Sequence, residues 1–346
     1  MVTRWGDYIT LEYGKPVPDK GRTDGRYPVF GTNGQIGTTN LKPLCNHPSV
    51  IIGRKGAYRG VHYSDGPFSV IDTGFYMESK TEQLDYQWAY YKFLTYDINS
   101  MDSGSAIPST DRYEIYHIPV VLPPIEIQRQ QIQCLSKIDS LISINQKIND
   151  YLDEQMKITY EHLFQNCASF IPLGDICDVQ KGLSYKGNGL GMSGSLLINL
   201  GNIQPGGGFR TDNNKFYTGE YKPKYQVKAG DIVIANTDMT QDRVILGSPA
   251  IVPDYEGTIL FTHHLFAFRD VKCPISFLYY YLRSSDFHNK CESSANGTTV
   301  LAVNREDILS CLVPADMEKI QQFGSICDNN LKLMKINSQQ KDVLKD

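Results

Sequence analysis

The side chains able to do chemistry are present in this chain, but not at the spacings that catalysis needs. No G-x-x-x-x-G-K-[ST] loop cradles nucleotide phosphates, and no H-E-x-x-H pair sets two imidazoles on one helix face around zinc. No G-x-S-x-G turn exposes a serine nucleophile. The seven histidines show no metal-ligand spacing, and the rings of His263-His264 would point to opposite faces of a strand. Eight cysteines are scattered without a C-x-x-C pair, so reduced thiols in a cytoplasm are expected, with neither a zinc site nor a disulfide scaffold. Phe30-Gly31-Thr32-Asn33-Gly34 faintly resembles a glycine loop for a methyl donor. However, no Asn-Pro-Pro or Asp-Pro-Pro segment is present to hold a flipped base. The residues argue against an enzyme.

Two segments suit recognition instead. Ser49-Val50-Ile51-Ile52-Gly53 reads as a buried strand, and Arg54-Lys55-Gly56-Ala57-Tyr58-Arg59-Gly60 as the loop leaving it. Arg54, Lys55, Tyr58 and Arg59 on a glycine-flanked turn fit phosphate approach and base-edge hydrogen bonds, with a solvated cationic hairpin as the plain alternative. Further on, Asp231-Ile232-Val233-Ile234-Ala235 is the comparable strand, followed by a polar loop carrying Asn236, Thr237, Thr240, Gln241 and Arg243. Asn and Gln can pair with adenine and Arg with guanine or phosphate, while ordinary turn chemistry explains any one of these residues equally well. Gly31, Gly34 and Gly37 read as hairpin glycines, and Tyr279-Tyr280-Tyr281 as packing rather than a stacking platform.

Charge leaves the question open. The net charge is −4, where nucleic-acid binders usually carry a basic excess. Yet residues 1–60 hold nine Lys/Arg against four Asp/Glu, and residues 61–125 hold three against nine. No apolar run approaches membrane-spanning length.

The elements that must position these loops repeat. Gly6-Asp7-Tyr8-Ile9 recurs as Gly174-Asp175-Ile176-Cys177, and Phe75-Tyr76-Met77 as Phe266-Ala267-Phe268. An aromatic helix from Trp88 to Leu94 recurs as Phe277 to Leu282. Gly104-Ser105 through Arg112 matches Gly297-Thr298 through Arg305, and each copy ends in a strand running into Pro123 or Pro314. The order is kept throughout, which marks an internal duplication.

A helix follows each proline. From Ile125 to about Phe164 there is no Gly or Pro, and Ile132, Leu135, Ile138, Ile142, Ile148, Leu152 and Met156 form a narrow stripe interrupted by Asn145. Forty residues make a rod of about 60 Å. The second copy, about Asp316 to Asp346, places Ile320, Phe323, Ile326, Leu333 and Ile336 similarly and contains Gly324. Two such rods are expected to pack antiparallel, with a globular half at either end. Interdomain struts without further meaning are the plain alternative.

Tyr27 to Gly37, then Ile51 to Gly56, Pro67-Phe68 and Asp72-Thr73, resemble the target-recognition domain of type I restriction-modification DNA-specificity subunits. So does the junction Leu122-Pro123-Pro124-Ile125-Glu126-Ile127-Gln128-Arg129-Gln130. The resemblance implies a mixed α/β chain of two target-recognition domains, 1–124 and 172–314, with conserved helices at 125–171 and 315–346. It further implies a non-catalytic cytoplasmic subunit that binds a bipartite, asymmetric sequence in double-stranded DNA. Adenine methyltransferase subunits and restriction translocase subunits would be its partners, bringing S-adenosylmethionine, ATP and magnesium. The second helix stops sooner than the first one's length suggests, which leaves a complete subunit, a truncated one, or a half that dimerises. A coiled-coil scaffold binding protein rather than DNA is the competing class.

Overall fold

The computed structural model describes residues 3–101, 108–240, 242–297 and 300–345. Gly104, Ser105, Gln241 and Thr298 lie outside the described residues. The chain falls into two compact units, Met1–Ile142 and Ser143–Asp346.

In the first unit, α1 (Trp5–Tyr8) leads into β1 (Ile9–Tyr13), followed by the hairpin β2 (Tyr27–Gly31) and β3 (Gly34–Thr39). Then come β4 (Ser49–Gly53), β5 (Val61–Ser64), β6 (Ser69–Val70) and β7 (Gly74–Ser79). The helices α2 (Tyr86–Leu94), α3 (Arg112–His117) and α4 (Ile125–Phe164) complete the series. One antiparallel sheet runs β1-β7-β4-β5, and a smaller one runs β3-β2-β6 with β2 parallel to β6. Strand β4 is buried on both faces because its side chains alternate. Val50 and Ile52 join Trp5, Phe75, Trp88 and Phe93 on the helix side, while Ile51 meets Phe30, Phe68 and Val70 on the other. The Trp5 and Phe93 rings stack at 4.5 Å. Asp85 caps α2 through the amides of Gln87 and Trp88. Buried Gln128 of α4 ties that cap down, accepting from the Asp85 amide and donating to the Gln83 and Pro123 carbonyls. Gly34 and Gly37 have φ of +121° and +155°, as hairpin glycines should.

The second unit starts with β8 (Phe170–Pro172), β9 (Asp178–Lys181), β10 (Leu190–Gly191), β11 (Ser195–Ile198), β12 (Lys215–Tyr217) and β13 (Gln226–Val227). Next are β14 (Ile232–Ala235), β15 (Thr237–Asp238), β16 (Pro249–Ile251), β17 (Ile259–Phe261) and β18 (Leu265–Arg269). Helices α5 (Ile275–Leu282) and α6 (Ser285–Ser294) precede β19 (Leu301–Ala302), α7 (Arg305–Leu309), β20 (Leu312–Pro314) and α8 (Met317–Lys345). Its sheets run β16-β14-β18-β9 and β10-β12-β11-β17-β13. As in β4, alternate residues of β14 serve two cores: Ile232 and Ile234 face the helices, Val233 and Ala235 the second sheet. Tyr279, Tyr280 and Tyr281 are buried in the helix-side core, as packing residues should be.

The duplication extends to individual backbone hydrogen bonds. Trp5 N–H to the Ile118 carbonyl (3.1 Å) is matched by Leu173 to Cys311 (2.8 Å), and Ile71 to Phe30 (3.0 Å) by Thr262 to Ile198 (2.9 Å). Arg54 to Thr73 (2.8 Å) is matched by Asn236 to His264 (3.0 Å), and Thr110 to Arg54 by Val303 to Asn236, both 2.9 Å. Even a steric detail recurs. A Cβ on Gly14 would lie 2.0 Å from the Ile71 carbonyl oxygen, and one on Gly182 would lie 2.2 Å from that of Thr262.

Within the second unit α8 packs antiparallel to the end of α4, with Phe323 against Tyr160 and Phe164, and Asn337 against Asn149. The seam keeps only part of the stripe expected from the sequence: Met156, Ile320 and Phe323 are buried in it and Leu152 packs against them. Ile148, Ile326, Leu333 and Ile336 are exposed, while Asn149, Asn337 and Cys327 are buried. Side chains along a helix drift around a 3.6-residue period, so a run of apolar residues at mixed spacings spreads over more than one face.

Candidate nucleic-acid interface

The hydrogen-bond register makes Arg54 and Lys55 of the first unit the counterparts of Asn236 and Thr237 in the second, immediately after the central strand of each main sheet. Four of the eight described candidates are open to solvent in whole or part within their loops, and one more is half-committed; three are not open at all.

In the first unit, half-buried Arg54 lies with its guanidinium carbon 4.8 Å from the Tyr13 ring centroid and donates to the Asp72 carbonyl at 3.2 Å. Arg112, at the start of α3, approaches the same Tyr13 ring at 5.1 Å. Tyr13 is itself partly exposed, and Lys15 follows it two residues on. Lys55 is half-buried and Tyr58 exposed. The result is a cationic cluster around an aromatic ring, suited to phosphate or base stacking.

Arg59 is a correction. It is only 2% exposed, and its guanidinium donates to the carbonyls of Gly56 (3.0 Å), Asn99 (2.8 Å) and Met101 (2.8 Å). A buried cation whose two terminal nitrogens both donate to the main chain, with only Nε left over, is a structural clamp and presents no donor to a base edge.

In the second unit Asn236 and Thr237 are likewise buried, because the chain continues into β15 and pairs with β19 rather than turning out as a loop. Thr237 Oγ1 lies 2.9 Å from Nδ1 of His264. Asp238 then shapes the turn, accepting from the Thr240 amide and hydroxyl and from the Ile245 amide. Thr240 is exposed on that turn. Arg243, at φ +56°, is half-buried and donates to the Glu292 carbonyl at 2.9 Å.

Three polar atoms at this end of the sheet are buried without an intramolecular partner: Asn236 Oδ1, Thr262 Oγ1 and His263 Nδ1. Buried polar atoms are normally satisfied, so a group from outside the chain, water or ligand, fits there. His263 and His264 do not point to opposite faces. They occupy the turn between β17 and β18, and their ring centroids are 4.0 Å apart. Burial and the nearby His263 and Lys181 hold the His264 imidazole below its ordinary pKa. Lys181 is the register counterpart of Tyr13, and Arg305 that of Arg112.

Tyr13, Arg112, Lys181, His264 and Arg305 were therefore missed by reading loops alone. Their signal was the repeat itself, since Tyr13-Gly14 and Lys181-Gly182 each end the first strand of a copy. Cys45, His47 and Glu78 were also missed: they converge although no recognised ligand spacing joins them.

Residues 5–154 match the family model of the Type I restriction modification DNA specificity domain. The type I restriction enzyme MjaVIII specificity subunit of Methanocaldococcus jannaschii is 24% identical over 349 residues, covering 90% of this chain and 81% of that protein. The crystal structure of the type I restriction-modification S subunit from M. genitalium shares the fold with a TM-score of 0.55 at 17% identity, covering 99% of this chain and 94% of that one. The match places the resemblance to a DNA specificity domain on the first half, and the structural likeness shows that the fold is shared along the whole chain. Over nearly its whole length the chain is similar to specificity subunits of type I restriction-modification systems.

Proposed function

We propose that this chain is the sequence-reading subunit of a type I restriction-modification complex, and that it binds a bipartite, asymmetric target in double-stranded DNA. One observation carries the reading: two backbones in the same hydrogen-bond register present different side chains at equivalent points. Arg54 and Tyr13 stand where the second copy has Asn236 and Lys181, as two readers of unlike sequences require. Residues 1–124 contact one part of the target through Tyr13, Lys15, Arg54, Lys55, Tyr58 and Arg112. Residues 172–314 contact the other through Lys181, Thr240, Arg243, His264 and Arg305. Gln241 remains a candidate from the sequence.

The helical segments 125–171 and 315–346 serve partner subunits. Leu141, Ile144, Ile148, Ile326, Leu333 and Ile336 leave apolar surface exposed there, which supports docking of adenine methyltransferase subunits and, in the larger assembly, restriction translocase subunits. Chemistry resides in those partners, which bring S-adenosylmethionine, ATP and magnesium. No helix among the described residues is long and apolar enough to cross a membrane, in keeping with a cytoplasmic complex.

The test is to co-express the chain with a modification subunit and map methylated adenines across the host genome. A single new two-part motif is expected. A symmetric motif, or no methylation by a soluble complex, would overturn the bipartite assignment.

A further inference from the structure

The segment between β3 and β4 brings three metal-ligating side chains together in the first unit. Cys45 Sγ lies 3.5 Å from His47 Nε2, which lies 3.0 Å from Glu78 Oε2. All three donor atoms are within 4.8 Å of one another. Cys45 and His47 lie two residues apart in one segment, and Glu78 comes from a separate strand. Cys45 exchanges two 3.0 Å hydrogen bonds with Phe68, His47 is followed by Pro48, and Glu78 sits in β7 opposite Thr10.

The orientation of the imidazole is the informative detail. His47 Nδ1 lies 2.9 Å from the Pro48 carbonyl, which can only accept, so Nδ1 carries a proton. The other ring nitrogen, Nε2, faces both the thiol and the carboxylate, and once deprotonated its lone pair is placed to take a metal. Metal-bound histidines are held in this way, with the distal N–H on a carbonyl. Nε2 and a carboxylate oxygen 3.0 Å apart call for a positive charge between them, and a proton or a bound cation supplies it. Zinc bonds of about 2.3 Å to sulfur and about 2.0–2.1 Å to nitrogen put tetrahedral S and N ligands roughly 3.5 Å apart. The observed Cys45–His47 separation is 3.5 Å.

We propose that Cys45, His47 and Glu78 bind one zinc-type divalent cation, with water completing the tetrahedron. Binding releases the thiol proton to solvent, and thiolate plus carboxylate then balance the 2+ charge. His47 and Glu78 are each 38% exposed, which leaves an entry path. Among the described residues the second unit has no equivalent. The register counterpart of Glu78 is Arg269, which closes the same place with a direct ion pair to Asp231 at 3.1 Å. The metal therefore ties the β3–β4 segment to the sheet in one copy only.

The experiment uses the purified full chain loaded with Co2+, then Zn2+. One equivalent of cobalt should produce a sulfur-to-metal charge-transfer band that zinc abolishes. Cys45→Ser and His47→Ala should lose the band and retain no zinc through gel filtration, while exposed Cys134→Ser keeps both. Glu78→Gln should weaken zinc binding by at least about tenfold. Circular dichroism confirms that each variant is folded, and His47→Ala, being half-exposed, serves if Cys45→Ser is not. No band and no retained zinc in the wild-type chain would make His47–Glu78 a simple ion pair and overturn the proposal. So would a band that survives both Cys45→Ser and His47→Ala.

Discussion

Asn337 donates its side-chain amide to Asn149 Oδ1 at 2.8 Å, and the two residues form a buried polar step between α4 and α8. Asn149 in turn donates to the Met334 carbonyl at 3.0 Å and to Ser338 Oγ at 3.2 Å. An apolar seam of Met156, Tyr160, Ile320 and Phe323 could slide by a turn with little penalty, whereas an amide pair is satisfied in one register only.

Replacing one partner should therefore cost more than replacing both. Asn149→Ala leaves the Asn337 amide unpaired and should destabilise the second unit by about 1–3 kcal/mol. The double change to Leu should be nearly neutral or stabilising, with a less unique helix register. Urea unfolding midpoints of Asn149→Ala and of the double change to Leu, compared with the wild-type chain, check this.

Arg59 and Lys55 should separate cleanly. Arg59→Ala strands several buried carbonyls and should cost roughly 3 kcal/mol of stability, without altering which bases are read. Lys55→Ala should leave stability within about 0.5 kcal/mol. It should weaken binding to all DNA sequences alike and reduce the slope of log affinity against log salt by about one. Thermal unfolding and salt-dependent binding of the two variants give both readouts.

His264 gives a pH dependence of defined sign. Its folded-state pKa lies below the ordinary 6.5, so the unfolded chain binds protons more readily. Stability is then fully present above pH 6.5 and falls as pH drops through that value towards the lower folded pKa. His264→Gln should flatten this part of the stability profile between neutral and mildly acid pH, measured by denaturant midpoint at each pH.

Gly14→Ala and Gly182→Ala should fail in parallel. Each new methyl group would lie about 2 Å from a carbonyl oxygen of the neighbouring strand turn, and the backbone must move. A loss of about 3 kcal/mol or more is expected in each copy, at the upper end of overpacking penalties. Paired thermal melts test whether the two copies share this constraint.

The architecture was legible because duplication is a pattern in order, and order survives loop insertion. Offsets between copies drift, yet Gly6/Gly174 and Phe75/Phe266 still fall on matched strands and turns. Helix seams were legible only in part. Apolar residues at mixed spacings left Ile148 and Leu333 outside, and the positions that decide register are asparagines, which a search for apolar stripes passes over. The interface was harder still. Arg59 looks like its neighbour Arg54 in the sequence, but the carbonyls that capture it come from Asn99 and Met101, some forty residues later. Asn236 and Thr237 read as a loop because their strand partner, β19, is more than sixty residues away. Tyr13 and Arg112 meet only through the fold.

The hydrogen bond from Val120 to the Thr3 carbonyl joins the two ends of the first globular half, and that from Ala315 to Ser169 does the same in the second. Each half thus begins and ends at one spot, like a bead clipped to its helix by adjoining threads. A half with such neighbouring ends can be cut out and replaced by another of similar frame, leaving the helical segment it hangs from undisturbed. For a subunit with the proposed function, exchanging one such half would change part of the target while the surfaces proposed for partner subunits stay as they were.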